Sequence, residues 1–247
     1  MTPPTIIFIH GAWHDTSNFS PVIGILEPLG YPCITIAMPS TGGTIPTTDL
    51  TNDIAAIRHV VLKEVDAGKE VIVCSHSWGG IPTTNALDGL SISERSESGK
   101  VGGVVKIAFL CAFVVPVGTS LQDATGGMSY DGIAEDGFIP ATHFGQKFYH
   151  DLDDAMASDL ESKLKLQSVA SFQTKATSAA HLVIPSIYLI CEDDQIIPMF
   201  LQELMIADAR KAGGIMEEER VFCGHSPFFK NPEFTASFLR RAAGENV

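Results

Sequence analysis

Six short segments of this chain read as strands; Thr5–Ile9, Cys33–Ala37, Glu70–Cys74, Val104–Leu110 and Ser186–Cys191 are built almost wholly from apolar and β-branched residues, and Glu218–Phe222 ends in Val221 and Phe222. Strict alternation would mark strands with one wet face. Near-continuous apolar runs mark strands covered on both faces, as in a parallel sheet. Parallel neighbours need long crossover connections, and helix-like stretches stand between the segments. Thr51–Val65 carries Ile54, Ile57, Val61 and Val65 at helical spacing, with Thr51 or Asn52 placed to cap its first turn. Gly79–Leu90 has Pro82 in a first turn that tolerates it, and Phe200–Lys211 and Pro232–Ala243 read as two more helices. The expected class is α/β, with a mostly parallel central sheet and helices on both faces.

The rhythm breaks between Pro116 and His181, where no segment reads as a strand. A Gly/Asp-rich loop, Asp123–Gly137, leads to an amphipathic piece, Asp151–Gln167, with Leu152, Met156, Leu160, Leu164 and Leu166 on one side. The expectation is a core of residues 1–115 and 182–247, with residues 116–181 as a helical cap insertion. Ser91–Lys100 reads as a polar loop.

Of 247 residues 45% are apolar and 18% charged, which suits one large buried core with an insertion and excludes a disordered or fibrous chain. Lys and Arg number 16 against 29 Asp and Glu, a net charge of −13. So acidic a surface repels phosphate backbones and anionic lipid, so neither nucleic acid nor a membrane is an expected partner. The longest apolar run, Val104–Val117, is broken by Lys106 and Pro116 and is too short for a span. The amino-terminal residues carry no basic region ahead of the first strand, which predicts no secretory or transit leader. Cys33, Cys74, Cys111, Cys191 and Cys223 are odd in number and widely spaced, with no metal-ligand pattern. They read as reduced thiols in the core of a cytoplasmic protein.

Four motifs carry chemistry. In VIVCSHSWGG, residues 71–80, an apolar strand runs into a helix through Ser77. A serine hydroxyl is a weak nucleophile unless a sharp turn exposes it, and such a turn needs small residues two before and two after. Here these are Ser75 and Gly79. In IIFIHGAW, residues 6–13, a strand ends in His-Gly, where backbone N–H groups can be aimed at a developing oxyanion. The expected donors are the N–H groups of Ala12 and Trp78, with His10 bracing the loop. In CEDDQIIP, residues 191–198, three acids compete to orient an imidazole. Asp194 is preferred over Glu192 and Asp193 because Pro198 closes the loop four residues on. In VFCGHSPFF, residues 221–229, Gly224 frees the backbone to turn His225 inward as general base. His59, His76, His143, His150 and His181 have no assignable role.

The order Ser77, Asp194, His225 and the four motifs resemble the α/β-hydrolases over essentially the whole chain. More narrowly, HGAWH, SHSWGG, CEDDQIIP and GHSPFF resemble the compact esterase-like branch of plant methylesterases, hydroxynitrile lyases and small bacterial and fungal hydrolases. The resemblance implies an α/β-hydrolase fold, a cofactor-free site under a cap and, often, a homodimer. Hydroxynitrile lyases of this branch carry threonine where Gly11 stands and lysine where Ser226 stands, which disfavours cyanohydrin chemistry. The expected activity is hydrolysis of an ester, thioester or lactone of a small apolar molecule. Trp13, His14, Phe138, Phe144, Phe148, Tyr149 and Met156 are the candidate pocket residues. The rivals are a triad-bearing lactonising, C–C cleaving or cyclising enzyme, and a ligand-binding relative without turnover.

Overall fold

Each apolar segment contributes alternate side chains to two separate cores, which is why the runs show no period of two. In the computed structural model, which describes residues 3–127, 134 and 136–247 (residue 143 by its backbone alone), six parallel strands form one sheet. They are β1 (Thr5–Ile9), β2 (Cys33–Ile36), β3 (Glu70–His76), β4 (Gly103–Leu110), β7 (Ser186–Cys191) and β8 (Met216–Val221). The order across the sheet is β2-β1-β3-β4-β7-β8. Ile7, Ile9, Val71, Val73 and Ile107 pack on one face against Ile57, Val61 and Val65 of the helix Thr51–Asp66. Ile6, Phe8, Ile72, Cys74, Ala108 and Leu110 face the other way. They meet Val22 and Leu26 of the helix Ser20–Leu26, and Phe238 and Leu239 of Pro232–Ala242. Each fully buried Phe or Leu adds about 1.5–3 kcal/mol of hydrophobic stabilisation.

The edges depart from the expected pattern. β8 exposes or half-exposes Glu217, Glu218, Glu219 and Arg220, charges that discourage pairing with another sheet. The helix Thr51–Asp66 is not capped by Thr51 or Asn52; the Asp49 carboxylate accepts the Thr51 N–H at 2.7 Å from outside it. Ser91–Lys100 is not a loop. Ser91 and Glu94 close a reciprocal capping box on a helix, Ile92–Glu97, and the buried Arg95 guanidinium donates to the carbonyls of Gly102 and Val65.

Between β4 and β7 the amphipathic stretch forms a helix only over Asp154–Glu161, and Leu166 is exposed. Contrary to the sequence reading, this region contains strands: β5 (Phe138–Ile139) and β6 (Gln167–Ser168) pair antiparallel. Ile139, Phe148, Tyr149, Leu160 and Phe172 join the same core cluster as one face of the sheet. Part of the Asp123–Gly137 loop lies outside the described residues. No helix among the described residues is long and apolar enough to cross a membrane. All five cysteines are free thiols, four of them buried.

Candidate active site

The parallel sheet sends the carboxyl ends of β1, β3, β7 and β8 to one rim, where open α/β sheets bind ligands. The four motifs follow those four strands and therefore meet. Ser77, immediately after β3, has φ +53, the left-handed conformation that swings its hydroxyl off the strand. Such a turn brings backbone against backbone. A Cβ on Gly79 would stand 2.6 Å from the His10 carbonyl oxygen, and one on Gly80 would stand 2.3 Å from that of Phe113. Ser75 takes the first small position because its hydroxyl is satisfied. It donates to Thr83 Oγ1 at 2.8 Å, and Thr83 donates to the Gly79 carbonyl at 2.7 Å.

Ser77 Oγ lies 2.9 Å from His225 Nε2, and His225 Nδ1 lies 2.7 Å from Asp194 Oδ2. A carboxylate only accepts, so Nδ1 carries the imidazole proton and Nε2 is left to accept from the serine hydroxyl. The other Asp194 oxygen accepts the N–H groups of Ile196 at 2.7 Å and Ile197 at 2.9 Å. Of the three acids in the motif, Asp194 alone is buried; Glu192 is exposed and Asp193 bonds to His150 at 3.0 Å. Ala12 and Trp78, both buried, line one cavity of about 180 Å³ together with Ser77.

Each loop is held by a side chain that the sequence did not single out. Gln167, fully buried, accepts from the Trp13 N–H at 3.2 Å and the Thr41 hydroxyl at 2.7 Å. It donates to the hydroxyls of Ser40 at 3.0 Å and Ser171 at 2.7 Å. That grip holds Trp13 at φ +64, just past Ala12. Gln202 clasps the acid loop. It accepts from the Cys191 N–H at 3.1 Å and donates to the carbonyls of Cys191 at 3.0 Å and Ile197 at 2.7 Å. The Asp151 carboxylate takes the Gly224 N–H at 2.7 Å beside His225.

Four buried histidines meet at the site, His10, His14, His76 and His225. His10 accepts the Met38 N–H at 3.2 Å on Nε2 and donates from Nδ1 to the Gly11 carbonyl at 2.8 Å, which braces the loop after β1 as expected. His14 donates to the Ala12 carbonyl at 2.6 Å and accepts from Tyr149 Oη at 3.0 Å. Desolvation holds its pKa down to about 3, so it is neutral. Desolvation likewise holds His76 well below the ordinary histidine range. His76 Nε2 donates to the His225 carbonyl at 2.8 Å, its ring lies 4.7 Å from the His225 ring, and its Nδ1 has no partner. Cys111 Sγ donates to the same carbonyl at 3.3 Å. Although His76, Cys111 and His225 have ligand-type atoms within 4.8 Å of one another, these contacts make them a hydrogen-bonded cluster.

Of the candidate pocket residues, Trp13 and Phe144 line the cavity and stack with ring centroids 5.0 Å apart. Phe148 packs on His225 at 5.6 Å. His14 and Tyr149 line a separate cavity, while Phe138 and Met156 pack into the core. The rest of the lining includes Phe113, Leu121, Thr125, Lys147, Phe172, Gln195 and Ile196. Gln195 and Ile196 directly follow the acid and were open to detection on that ground. The others carry no local signal. The His143 side chain lies outside the described residues.

The profile of the alpha/beta hydrolase family matches residues 6–238. The chain belongs to that family. It is 33% identical to the alpha/beta hydrolase nvfD of Aspergillus novofumigatus, over all of this chain and 99% of the relative. It is 31% identical to the probable hydrolase R7 of a Phoma species, over 99% and 100% of the two chains. Among solved structures, an extracellular α/β-hydrolase of a Paenibacillus species, described as sharing homology with tobacco salicylic acid binding protein 2, superimposes with a TM-score of 0.77. It does so at 18% identity, over 97% of this chain and 99% of that one.

Proposed function

We propose that this alpha/beta hydrolase is a serine hydrolase acting on an ester, thioester or lactone of a small apolar molecule, with residues 116–181 as its cap. The observation that carries the reading is the unbroken hydrogen-bond series Ser77–His225–Asp194, opening on an aromatic-walled cavity. His225 Nε2 takes the Ser77 proton as Oγ attacks the substrate carbonyl carbon. The charge that develops on the carbonyl oxygen is met by the N–H groups of Ala12 and Trp78, each such donor being worth about 10²–10³ in rate. Collapse of the tetrahedral intermediate breaks the bond to the leaving oxygen or sulfur, which takes the proton back from His225. Water, deprotonated by His225, then releases the acid from Ser77. Asp194 holds the tautomer that makes Nε2 the base and offsets the imidazolium charge.

The test is labelling with a fluorophosphonate probe, beside turnover of p-nitrophenyl acetate and butyrate. Labelling and turnover are expected in the wild type and lost in Ser77→Ala and His225→Ala, with Asp194→Asn down about 10⁴-fold in kcat. A folded wild type that neither labels nor turns over ester would refute the reading.

A further inference from the structure

The walls beside Ser77 are aromatic and apolar: Trp13, Trp78, Phe113, Phe144, Phe172 and Ile196. Among the described lining residues one is charged, the exposed Lys147 at the rim, with the neutral Thr125 and Gln195 as the remaining polar lining besides Ser77. No acidic side chain is among the described lining residues. Four other lysines pair with carboxylates, among them Lys69 with Glu64 at 2.7 Å, Lys106 with Glu217 at 2.8 Å and Lys163 with Asp159 at 2.5 Å, while Lys63, Lys100, Lys175, Lys211 and Lys230 do not among the described residues. Lys147 has no carboxylate of the described residues within ion-pair distance, although Glu161 shares with it the groove on its other side. Its stem belongs to the four-residue helix Gly145–Phe148, which Phe144 and Phe148 anchor against Trp13.

We infer that this cavity takes a substrate bearing a carboxylate, with the carboxylate on Lys147 and the scissile carbonyl on Ser77. An apolar wall gains from burying hydrocarbon of any kind and does not tell one neutral substrate from another. A cation at its rim does discriminate, because a carboxylate leaving water at that spot gains an opposite charge and the neutral Gln195 amide as a donor, the Thr125 hydroxyl being engaged by the Leu121 carbonyl at 3.0 Å. The discrimination matters in a chain of net charge −13, whose long-range field otherwise opposes anions. The proposal deepens the serine-hydrolase reading and rests on it for the bound molecule being a substrate. The binding of the anion is separable from turnover.

The chain has two tryptophans, and both line this cavity, so intrinsic fluorescence reports directly on its occupancy. The experiment is a titration of full-length Ser77→Ala protein with hydrocinnamate and, in parallel, with its neutral isostere hydrocinnamamide. The anion is expected to bind about fivefold tighter at low salt, the preference shrinking as ionic strength rises. Adding Lys147→Met should remove the preference, Lys147→Arg should keep it, and Lys147→Glu should reverse it. Equal affinity for the two ligands, a preference that survives Lys147→Met, or no quenching by either ligand would overturn the inference. Because the titration needs no catalysis, its result stands whether or not fluorophosphonate labels Ser77.

Discussion

His76 is the residue whose place was hardest to foresee, since it sits inside the nucleophile motif with nothing in the sequence to suggest a partner. Its partner is the backbone carbonyl of His225, 149 positions away. Being neutral, it donates without putting a second positive charge beside the imidazole that becomes one in the proposed mechanism. Losing that donor from a buried carbonyl costs about 1–3 kcal/mol. We expect His76→Leu to lower kcat about 10–100-fold with little change in KM, since the reach of His225 to Ser77 loosens while the pocket stays. His76→Gln, which retains a donor amide, should recover part of the loss. Steady-state kinetics of both, with fluorophosphonate labelling rates, are the check. A loss in Leu with no recovery in Gln would point to packing rather than the hydrogen bond.

The turn from β3 into the helix Gly80–Ala86 is the element on which the site depends most, and its glycines are not equivalent to others. A methyl on Gly80 would press on the Phe113 carbonyl at 2.3 Å, on the segment whose N–H bonds the Ser77 carbonyl at 3.0 Å. Gly80→Ala is therefore expected to destabilise the fold by about 1–3 kcal/mol or more and to displace Ser77. Gly24 is also helical, in Ser20–Leu26, but its Cβ position meets nothing within 4 Å. Gly24→Ala should stabilise by roughly 0.5–1 kcal/mol through helix propensity alone. Urea denaturation of the two variants should move in opposite directions. The turn itself was legible because it is a local pattern. The capping box at Ser91 and Glu94 was equally local and shows that a polar stretch with S-x-x-E begins a helix rather than a loop.

For the molecule as a whole, burial of neutral imidazoles makes stability depend on pH. His10, His14, His76 and His181 all have folded pKa values below the ordinary 6.5, with desolvation the leading cause in each, and His181 stands at about 4. The unfolded chain binds these protons below pH 6.5 and the folded chain does not, so stability rises with pH and is lost as pH falls. Between pH 7 and pH 5 each such histidine contributes a loss of up to about 2 kcal/mol. Asp53 runs the other way. Burial raises it to about 6, so the folded state binds its proton first, and it offsets roughly 1 kcal/mol over the same interval. His150, raised by its bond to Asp193, acts in the same sense as Asp53, and the four lowered histidines outweigh the two. The thermal midpoint is expected to fall steeply below about pH 6 and to stay level from pH 7 to 8. A flat profile down to pH 5 would contradict the buried neutral assignment.

The strands, the crossover helices and the four motif loops are written in local patterns, since apolar runs and turn residues act over a few neighbours. Parallel order then brings the loops to one rim whatever lies between them. Thus Ser77, Asp194 and His225 could be named before any coordinates, and the geometry joins them at hydrogen-bond distance. Which side chains would grip those loops, and which would wall the cavity, depended on the three-dimensional packing. Gln167 bonds to Trp13 across 154 positions, and Asp151 to Gly224 across 73. Lys147 reaches the cavity only because of how the segment between β4 and β7 folds back. A hydrogen bond between distant residues leaves no periodicity in either segment, and a pocket wall is defined by what faces it, so both are decided only when the chain has closed on itself.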